Sequence, residues 1–190
     1  MTVFRDLSQH LLDIAENSVT AGASLLHIDI EEDTVADRLA MTISDNGRGM
    51  DAEMVARVTD PWVTTRTTRK VGLGIPFLKQ TAEMCGGSFS IRSQVGQGTS
   101  TGAVFQLDHI DRPPLGDLLG TLACIIVGNP HVDLVLHHRV DGRDYDFDTR
   151  VLREVLGDDV PLSDPEVLGY IRGELTEAFR TLGSEAAVAV

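Results

Sequence analysis

Apolar residues recur near the start of the chain at spacings of three and four. Leu7, Leu11, Ile14 and Ser18 form one stripe, with Leu12, Ala15 and Val19 beside it. That period predicts an amphipathic helix over residues 5–21, ended by Gly22. The period then changes to two. Residues 25–30 (LLHIDI) and 39–44 (LAMTIS) alternate apolar with polar, which predicts two strands joined by an acidic connection. Asp51 is suited to cap a short helix reaching residue 59. Residues 60–71 are polar, threonine-rich and aperiodic, and are read as a mobile loop. Helical spacing returns over residues 72–84, with Pro76 in the first turn, where its missing N–H costs little. Gly86-Gly87 closes that helix. A strand over residues 88–93, a VGQGT turn and a strand over residues 101–107 follow.

Strands and helices in this order predict a two-layer α/β sandwich, one sheet covered on one face by helices. Arg112-Pro113-Pro114 breaks the pattern and divides the chain into residues 1–110 and a small α+β appendage over residues 111–190. The appendage opens with an apolar segment. A hairpin is predicted next, residues 132–140 and 144–148 flanking the turn Asp141-Gly142. Two helices come last, the second opening at Ser163-Asp164-Pro165-Glu166 with a capping serine, a first-turn proline and the matching glutamate. Asp144, Asp146 and Asp148 share one strand face and are read as a solvated acidic edge that blocks strand pairing or meets a basic partner. His137 and His138 point to opposite faces of their strand, so they do not share a metal.

Composition narrows the function. A chain of 190 residues with net charge −13 disfavours nucleic acid, which needs clustered Lys and Arg. The apolar run LLGTLACIIV is about half of the roughly 20 residues that span a bilayer. With no membrane segment or signal layout, a cytoplasmic protein is expected. Cys85 and Cys124 have neither metal nor disulfide spacing and are expected to be reduced and buried. Residues 61–82 lack any Asp or Glu yet hold Arg66, Arg69, Lys70 and Lys79. In an acidic chain, such a basic island is a candidate for holding a small anion.

Four pieces then fall in order: Asp13 and Asn17 on the first helix, the turn Asp45-Asn46-Gly47-Arg48-Gly49, the basic loop ending in Gly72-Leu73-Gly74, and Gly96-Gln97-Gly98-Thr99. Asp13 and Asn17 are four residues apart and project from one helical face. A carboxylate beside an amide oxygen suits a hard cation such as Mg²⁺. Asp45, at a strand end, is placed to accept from an exocyclic amine. Gly72 and Gly74 precede a helix whose free N–H groups favour phosphate.

Together these pieces resemble the ATP-binding family of gyrase, the ninety-kilodalton heat-shock chaperone, histidine kinases and MutL, over roughly residues 5–108. DIAENSVTAGA looks like the family's N box in its MutL form, DNGRG its first glycine box, and PWVTTR with GLGI the lid and second glycine box of histidine kinases. The resemblance implies ATP and Mg²⁺ as cofactors. It implies that Asn17 ligates the metal, that Asp45 reads adenine, that Gly47 and Gly49 allow close approach to the base, and that Thr99 supports the pocket floor. Arg66 and Lys70, with Gly72, Leu73 and Gly74, would meet the phosphates.

Two departures qualify the activity. Hydrolysing relatives carry glutamate where this chain has Asp13, the candidate base, which is shorter by about 1.5 Å. Glu16 is rotated off that face. No phosphoacceptor hairpin fits before Asp13, and His10 lacks the acidic neighbour of an acceptor. The expectation is therefore an ATPase or kinase module lacking its own phosphoacceptor domain and acting with a separate protein partner, as anti-sigma factors do. The alternative is a sensor that binds ATP or ADP without turnover. A MutL-like clamp fits the N box and is disfavoured by the short, acidic chain.

Overall fold

The computed structural model describes residues 5–59, 74–157 and 159–186. The first apolar stripe becomes α1 (Leu7–Thr20), which Asp6 caps by accepting from the Gln9 N–H. β1 (Leu25–Asp33) and β2 (Arg38–Asp45) form an antiparallel pair. α2 (Ala52–Val58) starts at the expected cap, Asp51. α3 (Gly74–Met84), β3 (Ser88–Gln94) and β4 (Gly98–Gln106) follow. The apolar run becomes α4 (Leu118–Gly128). β5 (Asp133–Val140) and β6 (Arg143–Asp148) are the hairpin, and α5 (Thr149–Leu156) and α6 (Pro165–Leu182) complete the order.

The described strands form one six-stranded sheet in the order β3-β4-β2-β1-β5-β6. The expected two-layer α/β sandwich is what the chain adopts. Leu26, Ile28 and Ile30 of β1 and Leu39, Met41 and Ile43 of β2 are buried, their alternate neighbours less so, as one covered face requires. The hairpin of residues 111–190 continues the same sheet: β5 lies parallel to β1, with Asp29 opposite His137. α4 is apolar nearly all round because it is packed between α1 and α6. Cys85 is buried as expected, but Cys124 is exposed, on the outward side of α4. The cap of α6 is Asp164, which accepts from the Glu166 N–H, and not Ser163. No helix among the described residues is long and apolar enough to cross a membrane.

The two histidines of β5 do face opposite ways. His137 lies on the open face between Asp144 and Asp146, and Arg139 and Arg150 pair with Asp144 and Asp148, so the acidic strand is largely neutralised from within. His138 is fully buried against the ring of Phe179. Its Nε2 lies 2.8 Å from Glu32, whose carboxylate also accepts from Ser184 Oγ (2.5 Å) and the Glu185 N–H (2.9 Å). Those bonds outweigh desolvation, which acts to raise the carboxyl pKa, and hold it below the usual glutamate value. Glu185 in turn grips Arg112 (2.8 Å) and the Leu115 N–H (2.7 Å), and the carbonyls of Pro114 and Leu115 accept from the first amides of α1. Glu185 is thus tied, through residues 112–115, to the start of α1.

Glu32→Ala leaves His138, Ser184 and the Glu185 amide without their shared acceptor in a dry interior. It is expected to destabilise the fold by about 3–5 kcal/mol, measured by urea unfolding. A loss no larger than that of an exposed substitution would remove this cluster from the account of stability.

Candidate nucleotide site

α1 contributes to two groups of candidate site residues, Asp13 and Asn17 to one and Ser18 to the other. In the first, the Asn17 side-chain amide donates to Asp13 Oδ2 at 3.1 Å. This leaves the Asn17 oxygen with no protein partner among the described residues. The Asp13 carboxylate lies so close to Gly74, the first residue of α3, that a Cβ there would overlap it. Only glycine permits this approach between α1 and α3. Glu16 is exposed on the neighbouring face.

The second group gathers on Asp45, the last residue of β2. Its Oδ2 accepts from Ser18 Oγ at 2.7 Å and its Oδ1 from the Gly47 N–H at 2.8 Å. Both oxygens retain a lone pair, so the carboxylate is oriented and still able to accept. Thr99 sits opposite Asp45 in the β2–β4 register, and its hydroxyl is 2.8 Å from Ser93 Oγ. Ser93 also accepts from the Met50 N–H and donates to the Gly98 carbonyl, which joins the DNGRGM turn to the β3–β4 turn. Gly49 has φ +64°, and a Cβ there would strike the Gln94 carbonyl. Asn46 faces the other way: its side chain accepts from the Ser24 and Leu25 amides and donates to Ser24 Oγ, fixing the turn to the start of β1.

The fold therefore brings Asp13, Asn17 and Gly74 together, and Asp45, Gly47, Gly49 and Thr99 together, with α1 common to both. Arg66, Lys70, Gly72 and Leu73 lie outside the described residues, as do the loop read over residues 60–71 and Trp62 within it. Two residues of the site went unrecognised in the sequence. Ser18 occupies a buried stripe position where an aliphatic residue would pack, and a buried hydroxyl implies a partner. His10 is buried one turn before Asp13, with a hydrogen bond to the Gly74 backbone, and burial pushes its pKa down to about 4.

No group of three or more His, Cys, Asp or Glu side chains among the described residues could hold a metal alone. The donor set fits Mg²⁺ in another manner, one amide oxygen with a carboxylate behind it, the remaining positions being left to water and phosphate oxygens.

Comparison with known proteins places these residues in context. The sequence model described as histidine kinase-, DNA gyrase B- and HSP90-like ATPase matches residues 2–111. The chain is 34% identical over 104 residues to the autoinducer 2 sensor kinase/phosphatase LuxQ of Vibrio parahaemolyticus, half of this chain and 12% of that protein. It is 35% identical over 97 residues to the sensor protein kinase FleS of Pseudomonas aeruginosa, 51% of this chain and 24% of that one. The chain thus spans a quarter or less of these relatives. Among solved structures, the Aquifex aeolicus MutL ATPase domain complexed with ADP superposes with a TM-score of 0.54 at 16% identity, covering 81% of this chain and 70% of that one. At that identity the likeness is one of fold.

The buried His10 generates a pH dependence. Its pKa is about 4 in the fold and near 6.5 when unfolded, so between those values the unfolded chain binds more protons and stability falls as pH is lowered. The slope is on the order of 1 kcal/mol per pH unit. Other histidines and, below about pH 5, carboxylates titrate in both proteins, so the difference in urea midpoint between the parent and a His10 variant over about pH 6.5 to 5 isolates this histidine. His10→Gln should flatten that segment of the curve. An unchanged slope would assign the dependence elsewhere.

Proposed function

The chain belongs to the histidine kinase-, DNA gyrase B- and HSP90-like ATPase family, and on that premise we propose that it is a cytoplasmic, Mg-ATP-dependent, histidine-kinase-like module that acts with a separate protein partner. The observation that carries this reading is the braced Asp45: a carboxylate fixed by Ser18 and Gly47 at the end of a strand, with acceptor capacity to spare. An adenine exocyclic amine is the complement of such a group, and Gly47 and Gly49 remove side chains from the surface the base would cover. Thr99 backs the same floor from β4.

Asn17 would offer its side-chain oxygen to Mg²⁺, which when bound neutralises phosphate charge and polarises the transferred phosphoryl group. Asp13 orients that amide and is the candidate base. By resemblance, Arg66 and Lys70 would approach the phosphates beside Gly72, Leu73 and Gly74. Similarity to sensor kinases supports a signalling role in which the phosphoryl acceptor belongs to a partner. One observation favours a second reading, a sensor without turnover. Asp13 is already engaged by Asn17 and pressed against Gly74, and it reaches less far than the glutamate of hydrolysing relatives.

Calorimetric titration with Mg-ATP, followed by a phosphate-release assay on the same sample, separates the two. Asp45→Asn should weaken ATP binding by about 2–3 kcal/mol, roughly 30- to 150-fold, because the amide offers the amine a poorer acceptor. Unchanged affinity would remove Asp45 from the pocket. Asn17→Ala should abolish the difference between Mg²⁺ and EDTA, together with any release. Binding by the unmodified chain with no release, with or without a candidate acceptor, would select the sensor.

A further inference from the structure

α5 holds four aliphatic side chains at adjoining positions, Val151, Leu152, Val155 and Leu156. Leu152 and Leu156 pack against the core. Val151 and Val155 point away from it and are 57% and 80% exposed, with Val160 partly exposed beyond the helix end. The apolar stripe of this helix is therefore only half covered. Helices of this length gain little intrinsic stability in water, and packing of the inner half is enough to hold α5. The outer half, largely exposed, contributes little to folding.

The charges around the stripe are unequal. Its arginines are occupied within the chain: Arg150 pairs with Asp148 at 2.6 Å, and Arg153 reaches Asp133 at 2.9 Å and the Pro130 carbonyl at 2.7 Å. The exposed acids Glu154 and Asp159 make no salt bridge among the described residues, although Glu154 lies within electrostatic reach of Arg150. The surface is an aliphatic strip with carboxylates at its rim. Its complement is a helix that sets aliphatic side chains between lysines or arginines. A second copy of the chain is a poor complement, because it would bring the same acids face to face.

The strip also lies at the nucleotide end of the molecule. Arg153 bonds Asp133, the Asp133 N–H donates to the Ser24 carbonyl, and the Ser24 N–H donates to Asn46 of the DNGRGM turn. We propose that Val151 and Val155, with Glu154 and Asp159, form the docking surface for an amphipathic, basic helical segment of the partner protein, seated beside the nucleotide site. The inference rests on the reading of the chain as a module that works with a partner.

The probe is a fluorescent helical peptide of about 18 residues built from leucine and lysine, with a leucine–glutamate peptide of the same pattern as control. Anisotropy titration of the full chain at physiological salt should show binding of the first and not the second. Val151→Ser with Val155→Ser should weaken it tenfold or more, with an unchanged melting curve because both sites are exposed. Glu154→Lys should weaken the lysine peptide as well. Equal binding by the parent and the double variant overturns the proposal. So does a dimer in sedimentation equilibrium that the double variant abolishes, since the strip would then be covered by a second copy. ATP titration of the same samples keeps the two readings apart. A parent chain that binds ATP and not the lysine peptide refutes the docking surface alone, and one that binds the peptide and not ATP refutes the nucleotide reading alone.

Discussion

The orientation of α1 across the sheet is the constraint on which the site depends, because one short helix supplies groups to both halves of it. Two polar attachments set that orientation. Near its C-terminal end Ser18 bonds Asp45 at the tip of β2, and at its N-terminal end the carbonyls of Pro114 and Leu115 accept from its first amides. Between them Leu7, Leu11, Ile14 and Ala15 supply the apolar seal. Each buried leucine or isoleucine is worth about 1.5–3 kcal/mol, so together they outweigh either attachment, a hydrogen bond of about 0.5–3 kcal/mol. Apolar packing alone, however, tolerates rotation and sliding. A hydrogen bond at 2.7 Å does not, so the hydrophobic face supplies adhesion and the polar ends supply register.

That division explains what the sequence revealed. Period gives faces, so α1, β1, β2 and the sidedness of His137 and His138 were legible. The Asp141-Gly142 turn was legible because few residues tolerate φ of +48° and +77° in succession. The DNGRGM stretch stood out as a candidate site because it carries more glycine and acid than a turn needs. What period cannot give is a partner distant along the chain. Glu32 reads as one more acid on an acidic connection, and its burial becomes evident only once β5 lies parallel to β1 and brings up His138, 106 residues away. Ser18 was hidden differently, since a hydroxyl on an apolar stripe looks like a tolerated small residue until its acceptor is in view. For Cys124 the error was one of averaging, because a helix can be apolar nearly all round and still have an outer side.

The second half of the chain takes its physical meaning from the same sheet. β5 covers the edge that β1 would otherwise expose, and β6 presents a charged edge in its place. The acids that give residues 111–190 their charge are thereby sorted. Asp133, Asp144 and Asp148 are matched by Arg153, Arg139 and Arg150, and Asp146 lies against His137. Glu154 on α5 and Asp159 just beyond it are among the acids that make no salt bridge within the described residues, as are Asp117, Asp164 and Glu166.

The path from α5 to the nucleotide turn also bears on what a partner could do once seated. Asn46 uses its amide oxygen twice and its nitrogen once to hold Ser24 and Leu25. Asp133 is held by Arg153 at its side chain and by Ser24 at its backbone. A connection made of satisfied bonds has no second arrangement of comparable energy, and coupling between sites needs an element with two states. Contact at α5 would therefore leave Asp45 and its affinity for a base nearly unchanged. Its consequence would be positional: a partner held against a rigid frame beside the site has its reacting group kept at a set distance from the phosphates, and proximity of that kind is itself a large part of a transfer barrier.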